Sequence, residues 1–322
     1  MQAIRVHQSG GPEALSVDTV DVPRPGHGEA LVRHTAIGVN FIDIYQREGL
    51  YPLPLPFTAG NEGAGVVEAV GPGVTEVAVG DRVAYCMAIG AYAEWRTIAS
   101  HRLVRVPDGV PDDVAAAAML KGLTAEYLVR RTRKLGPGDT ILFHAAAGAT
   151  GLIAVQWAVS LGATVIGTAG SEAKAALARD HGCSHVINYR NEDFVARTKE
   201  LTGGRGVDVV YDSVGKDTFP GSLDVLRPRG MFVSFGQSSG LVPEFAPRVL
   251  SQKGSLFMTR PNLANYISDR AELEEAAAAL FAMIASGSIR VRIDRRLPLA
   301  GAADAHRALE ARQTSGSIVL LP

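Results

Sequence analysis

The sequence predicts an α/β fold in two parts: a doubly wound parallel sheet, and an antiparallel, barrel-like domain assembled from both ends of the chain. Three observations predict it. From Asp139 onward, apolar strands alternate with amphipathic helices, the signature of parallel βα units. Before about residue 120, short β-branched runs are separated by Gly, Pro and Asp clusters, which reads as antiparallel strands and turns. Finally, Ser317–Leu321 is a short apolar strand that must pair somewhere, and the economical partner is the first domain.

The first part places strands at 31–33, 65–70, 82–85, 95–98 and 103–106. The second places six strands at 140–144, 164–168, 185–188, 207–212, 231–235 and 255–259, with helices at 150–161, 172–181, 193–201, 219–226 and 246–252 between them. After residue 260 come an Ala- and Glu-rich helix over 270–286, a strand over 289–293 and the terminal strand. The domains are therefore expected at 1–123, 124–260 and 261–322, the first and last segments forming one discontinuous domain with a cleft beside the sheet domain.

Composition narrows the partners. With 32 Lys+Arg against 33 Asp+Glu the formal charge is −1, and 47% of residues are hydrophobic, which excludes disorder and the charge footprint of a nucleic-acid binder. At ~150 residues per domain, 322 residues suggest two cores. The longest apolar runs, such as 276–285, fall short of the ~20 residues that span a bilayer. The N-terminus starts like a strand and lacks an apolar signal region, so a cytoplasmic location is expected. Only Cys86 and Cys183 occur, with no C-x-x-C pair, which excludes a disulfide framework and a cysteine-based structural zinc. The 35 glycines and 17 prolines are spread over turn positions, as many short elements require.

The predicted strand at 140–144 runs into Ala145-Ala146-Ala147-Gly148-Ala149-Thr150-Gly151 and then a helix. This is G-x-G-x-x-G with Ala146 in place of the first glycine. Such a turn directs backbone N–H groups and a helix N-terminus at a pyrophosphate, while the last glycine permits close helix-to-strand packing. The string alone is a weak signal; its place at the first βα unit strengthens it.

Cofactor choice is legible one unit later. An NAD-type site expects an acid about 20 residues beyond the glycines, but Thr168-Ala169-Gly170-Ser171 carries none. Glu172 opens a helix, where an acid is ordinarily favoured by the dipole. Ser171, Lys174 and Tyr189, with Arg190 next, supply a hydroxyl, an ammonium and a phenol for a ribose phosphate; the alternative is that Lys174 is a solvated helix lysine. Two charge-assisted hydrogen bonds at roughly 1.5–3 kcal/mol each would favour NADPH over NADH by about two to four decades. NADPH is the expected cofactor.

At this point the motifs are specific enough to name a family. Gly38-Val39-Asn40-Phe41-Ile42-Asp43, Gly60-Asn61-Glu62-Gly63-Ala64-Gly65, Val79-Gly80-Asp81-Arg82-Val83, Lys121-Gly122-Leu123-Thr124, Phe143-His144-Ala145-Ala146-Ala147-Gly148, Val210-Tyr211-Asp212-Ser213-Val214-Gly215 and Thr259-Arg260-Pro261 resemble the medium-chain dehydrogenase/reductase superfamily. The match is similar to its zinc-free quinone oxidoreductase branch, related to zeta-crystallin, and covers essentially the whole chain. The resemblance implies a GroES-like catalytic barrel from both chain ends, a Rossmann domain, and a homodimer formed through the last Rossmann strand near residues 255–260.

In zinc-dependent relatives a Cys, a His and a second Cys hold the metal; motif on motif, those positions fall at Asn40, Asn61 and Lys121. Asparagine is not a usual zinc ligand and an ammonium repels the cation, so no metal is expected. Without a metal to acidify an alcohol, the chemistry suits an acceptor that takes hydride readily and needs only donors for its oxyanion, such as a quinone or an enone.

The resemblance places Phe41, Ile42 and Tyr45 near the nicotinamide, with Tyr45 the leading donor and Asn40 and Lys121 offering an amide and a charge. Plainer readings stand beside each: Tyr45 packs on the nicotinamide, Asn40 caps backbone, and Lys121 holds a carboxylate such as Glu62. Tyr127, Gly148, Ala149, Thr150 and Gly151 would line the diphosphate, and Gly170, Ser171, Lys174, Tyr189 and Arg312 the adenosine phosphate; for Arg312 a solvated arginine is the alternative. Ser213, Val214, Phe235, Gly236, Gln237 and Ser238 lie at C-terminal strand ends, where such sheets bind ligands. The proline-rich loop after Tyr51 suits a stiff rim over a planar ring, or a simple connector. The expected activity is NADPH-dependent quinone reduction. An enone (alkene) reductase, or a non-catalytic crystallin or RNA-binding relative, are the alternatives, the last disfavoured by the neutral charge.

Overall fold

A computed structural model describes residues 1–322. The chain divides into two units, Met1–Leu123 with Tyr266–Pro322, and Thr124–Asn265. The second crossing falls a few residues beyond 260.

The first unit opens with β1 (Gln2–Val6), β2 (Leu15–Thr19), β3 (Glu29–Val39), α1 (Phe41–Arg47), β4 (Phe57–Thr58), β5 (Glu62–Val70), β6 (Arg82–Cys86), β7 (Trp95–Ala99), β8 (Val104–Arg105) and α2 (Asp112–Glu126). Strand β3 is its spine: 11 residues long, it pairs antiparallel with β5 along its length and with β7 near its start. Its burial alternates up to Ala36 and is continuous from there to Val39, past a bulge near His34, so Ala30, Val32 and Ile37 enter one apolar cluster with Val67, Val83, Ile98 and Leu103. Helix α2, absent from the sequence expectation, has Ala115–Met119 and Leu123 buried together. A helix apolar nearly all round carries no amphipathic period to read.

The second unit contains β9 (Thr140–Phe143), α3 (Ala149–Ser160), β10 (Thr164–Ala169), α4 (Glu172–Asp180), β11 (His185–Asn188), α5 (Phe194–Leu201), β12 (Val207–Asp212), α6 (Phe219–Asp224), β13 (Leu226–Ser234), α7 (Arg248–Gln252) and β14 (Phe257–Thr259). Six strands pair in parallel in the order β11-β10-β9-β12-β13-β14. The order reverses at β9, so the turn after β9 sits at the switch point where doubly wound sheets bind ligands. The fold class is the α/β architecture expected, with β13 beginning earlier than 231 because its first residues pair around a bulge.

The chain then supplies α8 (Leu263–Tyr266), α9 (Arg270–Ala285), β15 (Ile293–Pro298), α10 (Ala302–Glu310) and β16 (Ser317–Leu321). Strand β16 pairs antiparallel with β3, Ile318 opposite Val39, so the discontinuous first unit is closed by its last strand. The strand expected at 289–293 is displaced to β15. Ile289 is instead a buried anchor after α9, and the exposed Arg295 and Arg296, paired with Asp294 and Asp113, conceal an edge strand in charge.

Two buried histidines tie this unit together. His34 bonds the Ala93 carbonyl through Nδ1 (2.6 Å) and the Tyr85 hydroxyl through Nε2 (2.7 Å), with the Arg96 guanidinium 5.0 Å over the Tyr85 ring. His306 on α10 contacts Arg47 on α1 (3.2 Å) and the Tyr92 hydroxyl (3.1 Å), while Arg47, itself fully buried, pairs with Glu310 at 2.6 Å. Burial pushes both imidazoles down to about 3. Between that value and 6.5 the unfolded chain binds a proton that the native chain refuses, so each histidine makes stability fall as pH falls through that window. Asp43, raised by burial to about 6, acts with the opposite sign between its ordinary value and 6. Urea unfolding of His34→Gln should therefore show a pH slope shallower than wild type by about 1.4 kcal/mol per pH unit between about pH 4 and 6; parallel slopes would refute the neutral, buried His34.

Candidate functional site

In the first unit the site begins where β3 hands over to α1. Asn40 ends the strand, and its backbone N–H is accepted by Asp43 Oδ2 at 2.8 Å, the reach-back expected of an acid three residues into a helix. The Asn40 side chain donates to Glu62 Oε1 at 2.8 Å. Lys121 pairs with the same oxygen, and the Leu120 N–H donates to Oε2 at 2.6 Å. Glu62, at 0% exposure, thus collects an amide, an ammonium and a backbone donor at the start of β5. Gly38 makes this possible, since a Cβ there would overlap the Glu62 carboxylate and the Ala116 carbonyl.

Beside this centre Asn61 donates to Asp43 Oδ1 and Gln46 Oε1, both at 2.6 Å, and Tyr92 donates to Asp43 Oδ2 at 2.9 Å. Burial is the main cause holding the Asp43 carboxyl at about 6, against the three hydrogen bonds and with the Glu62 charge. Sequence reasoning passed over Asp43 and Gln46 as site residues; the Asn-x-x-Asp spacing was the available signal for Asp43. Asn40, Asn61 and Lys121 therefore contribute one ammonium and two amides whose NH2 ends point at acceptors. That donor set does not fit a zinc ion.

Of the residues expected near the nicotinamide, Phe41, Ile42 and Tyr45 lie half-buried on α1. Tyr45 packs tilted on Phe41, centroids 6.2 Å apart, and edge-on against Tyr51 at 5.5 Å. The loop after α1 thus contributes an aromatic wall. Asn40 and Lys121 are brought together on Glu62, which Lys121 holds with the Asn40 amide as a second side-chain donor.

In the second unit the turn after β9 is tied to β10: Ala145 N–H donates to Thr168 Oγ1 (3.3 Å) and Ala146 N–H to the Thr168 carbonyl (3.0 Å). The left-handed backbone conformation falls on Ala145, φ +52°, and not on Ala146, the position read as the replaced glycine. Gly148 caps α3 without any side-chain bond, and Ala149, Thr150 and buried Gly151 form its first turn. A 12-residue helix opening this way leaves its N-terminal donors for an anion, which fits a diphosphate. Tyr127 is buried at the head of a π-helical stretch, Tyr127–Thr132.

At the end of β10, Ser171 caps α4 by accepting the Lys174 N–H at 3.3 Å. Glu172, at the start of α4, accepts from Asn188 Nδ2 at 2.8 Å, and Glu192 accepts the Asn188 N–H at 3.3 Å. Tyr189 is 44% exposed and its hydroxyl lies against Gly170, where a Cβ would clash. Gly170, Ser171, Lys174 and Tyr189 are thus gathered in one place, whereas Arg312, exposed and at φ +55°, belongs to the first unit. The loops after β12 and β13 are zipped together, Phe235 N–H to the Asp212 carbonyl (2.8 Å), Ser238 N–H to the Ser213 carbonyl (3.1 Å) and Ser239 N–H to the Val214 carbonyl (2.9 Å), with Gly236 packed on Ser213. Gln237 is buried with Oε1 held by Arg260 at 2.9 Å.

Comparison with known proteins agrees with this layout. The alcohol dehydrogenase GroES-like domain matches residues 26–139 and the zinc-binding dehydrogenase domain matches residues 149–281. A quinone oxidoreductase of Pseudomonas aeruginosa is 53% identical over 97% of each chain. A 2-haloacrylate reductase of Burkholderia sp is 49% identical over 100% of this chain and 99% of its own. The crystal structure of Escherichia coli quinone oxidoreductase complexed with NADPH superposes with a TM-score of 0.98 at 49% identity, covering both chains completely.

The Glu62 centre makes a stability prediction. Lys121→Met strands a buried carboxylate and should cost about 3–5 kcal/mol of unfolding free energy, while adding Glu62→Gln to it should recover much of that loss. Denaturant titration of the single and double variants checks this, and additive losses would refute the pairing as the source.

Proposed function

Because the chain belongs to the zinc-free quinone oxidoreductase branch of the medium-chain dehydrogenase/reductase superfamily, we propose that it is an NADPH-dependent quinone reductase that works without a metal. The observation that carries the reading is the 53% identity over nearly the full length to a quinone oxidoreductase, joined to the NADPH complex among the superposed structures.

In this reading the α3 N-terminus after Gly148 receives the diphosphate, and Ser171, Lys174 and Tyr189 receive the ribose phosphate, with Arg312 as a further cation. The engagement of Glu172 by Asn188 supports the choice of phosphate over a free ribose hydroxyl, since no uncommitted acid stands at the end of β10. Bound there, NADPH supplies a hydride from its dihydronicotinamide. The chain's own part is to orient the ring and to stabilise the oxyanion that hydride addition creates. Phe41, Ile42 and the aromatic wall of Tyr45 and Tyr51 give an apolar surface, and the Tyr45 hydroxyl is the donor assigned to the quinone oxygen. Asn40 and Lys121 are assigned to the same oxyanion through the N–H donors they have besides those given to Glu62. No zinc step enters, because the residues at those positions are donors.

The 2-haloacrylate reductase relative favours a second reading, reduction of an activated alkene on the same scaffold. The cytoplasm is the proposed location, and the proposed assembly is a homodimer through β14. That strand is the open edge of the second unit's sheet, and Phe257 on it is 58% exposed. Phe257→Asp should then give a monomer in sedimentation; an unchanged sedimentation coefficient would refute this interface.

NADPH oxidation across a panel of quinones and α,β-unsaturated carbonyl compounds tests the activity, with turnover of quinones the expected result and turnover of alkenes alone selecting the second reading. Tyr45→Phe should lower kcat by at least about tenfold. Lys174→Ala should reduce the preference for NADPH over NADH by about one to two decades; equal efficiency with both cofactors in the wild type would refute the phosphate site.

A further inference from the structure

His144, at the end of β9, is 1% exposed and stands outside the roles assigned above. Its Nδ1 lies 3.1 Å from Thr168 Oγ1 and its Nε2 3.0 Å from Ser222 Oγ. Its ring is held edge-on by Phe194, centroids 5.0 Å apart at 87°. The directions of these bonds follow from the groups at the two ends. Asp212 accepts four hydrogen bonds, from Val214 and Gly215 N–H on Oδ1 and from the Thr218 and Ser222 hydroxyls on Oδ2. Its carboxylate takes the Ser222 proton, so Ser222 Oγ receives from His144 and Nε2 must carry a hydrogen. At the other end, Thr168 Oγ1 accepts the Ala145 N–H, which leaves its own proton for Nδ1. Burial lowers the imidazole from its ordinary value, with the Asp212 charge opposing, in keeping with a neutral ring.

We propose that His144, as the neutral Nε2–H tautomer, is a positioning residue that couples the diphosphate-binding turn at Ala145 to the Ser213–Gly215 loop through one directional hydrogen-bond chain. The chain runs from Ala145 N–H through Thr168, His144 and Ser222 to Asp212, which in turn fixes the Val214 and Gly215 amides. Ser222 is on α6 and hydrogen-bonds His144 and Asp212, yet a change there should be felt at the cofactor, a consequence that rests on the NADPH reading of the site. An apolar ring of the same size would fill the space but transmit nothing.

Two measurements test it. The 15N spectrum of selectively labelled protein should show His144 in the Nε2–H form across pH 6–8; an Nδ1–H or doubly protonated ring would overturn the proposal. Calorimetric titration with NADP+ should find Thr168→Val and Ser222→Ala each weaker by about tenfold, and the double variant no weaker than about tenfold to thirtyfold instead of a hundredfold. Full additivity, or an unchanged Kd in Ser222→Ala, would overturn it, provided that wild type binds NADP+ and both variants keep their circular dichroism. Absence of NADP+ binding by wild type would instead remove the cofactor reading and the coupling together, so the two failures are told apart by the wild-type titration.

Discussion

The buried Glu62 carboxylate is the constraint around which the first unit is arranged. A carboxylate removed from water must be met by donors or it unfolds its surroundings. Two elements send three donors: the end of β3 through Asn40, and α2 through the Leu120 backbone and the Lys121 side chain. Meeting that demand fixes where β3 stops, why Gly38 has no side chain and where α2 is tied to the start of β5. The aromatic wall of α1 inherits its orientation from the same corner, because Asn40 is both a Glu62 donor and the residue before the helix.

Both units use neutral histidines as hydrogen-bond bridges and not as charged groups. His34 and His306 join strands and helices within the barrel-like unit. His144, at the end of β9, bridges β10 and α6 in the second unit. In each case burial suppresses the charged form, and each ring then offers one donor and one acceptor in fixed directions. Such a ring is a polarity-sensitive connector: it orders hydroxyl groups on either side in a way that no aliphatic residue could.

Much of this was legible in the sequence, for reasons that differ by element. The parallel sheet announced itself because strands such as β10 and β12, buried along nearly their whole length, are short runs rich in β-branched residues and bounded by turns. The phosphate turn was legible from Gly148 and Gly151, although the strained residue proved to be Ala145, since nothing in a run of three alanines marks which one takes a positive φ. Helix α2 was hidden by its uniform burial, and β15 by Arg295 and Arg296 on an edge. The candidate site was legible as a set of positions and not as a network. Glu62 surfaced as one carboxylate that Lys121 could hold, but its convergence with Asn40 and the Leu120 amide depends on strand register, which residue identity does not disclose.

The pairing of β16 with β3 has a consequence for how the protein is made. Ile37, Gly38 and Val39 meet Leu320, Val319 and Ile318, so the corner beside Glu62 lacks one wall until the final strand leaves the ribosome. The six-stranded sheet, whose elements all lie between Thr140 and Thr259, has every one of its strands available earlier in translation. Vectorial synthesis therefore favours an order of events in which the nucleotide-type unit matures first, and the apolar upper half of β3 waits as an open template for its last partner.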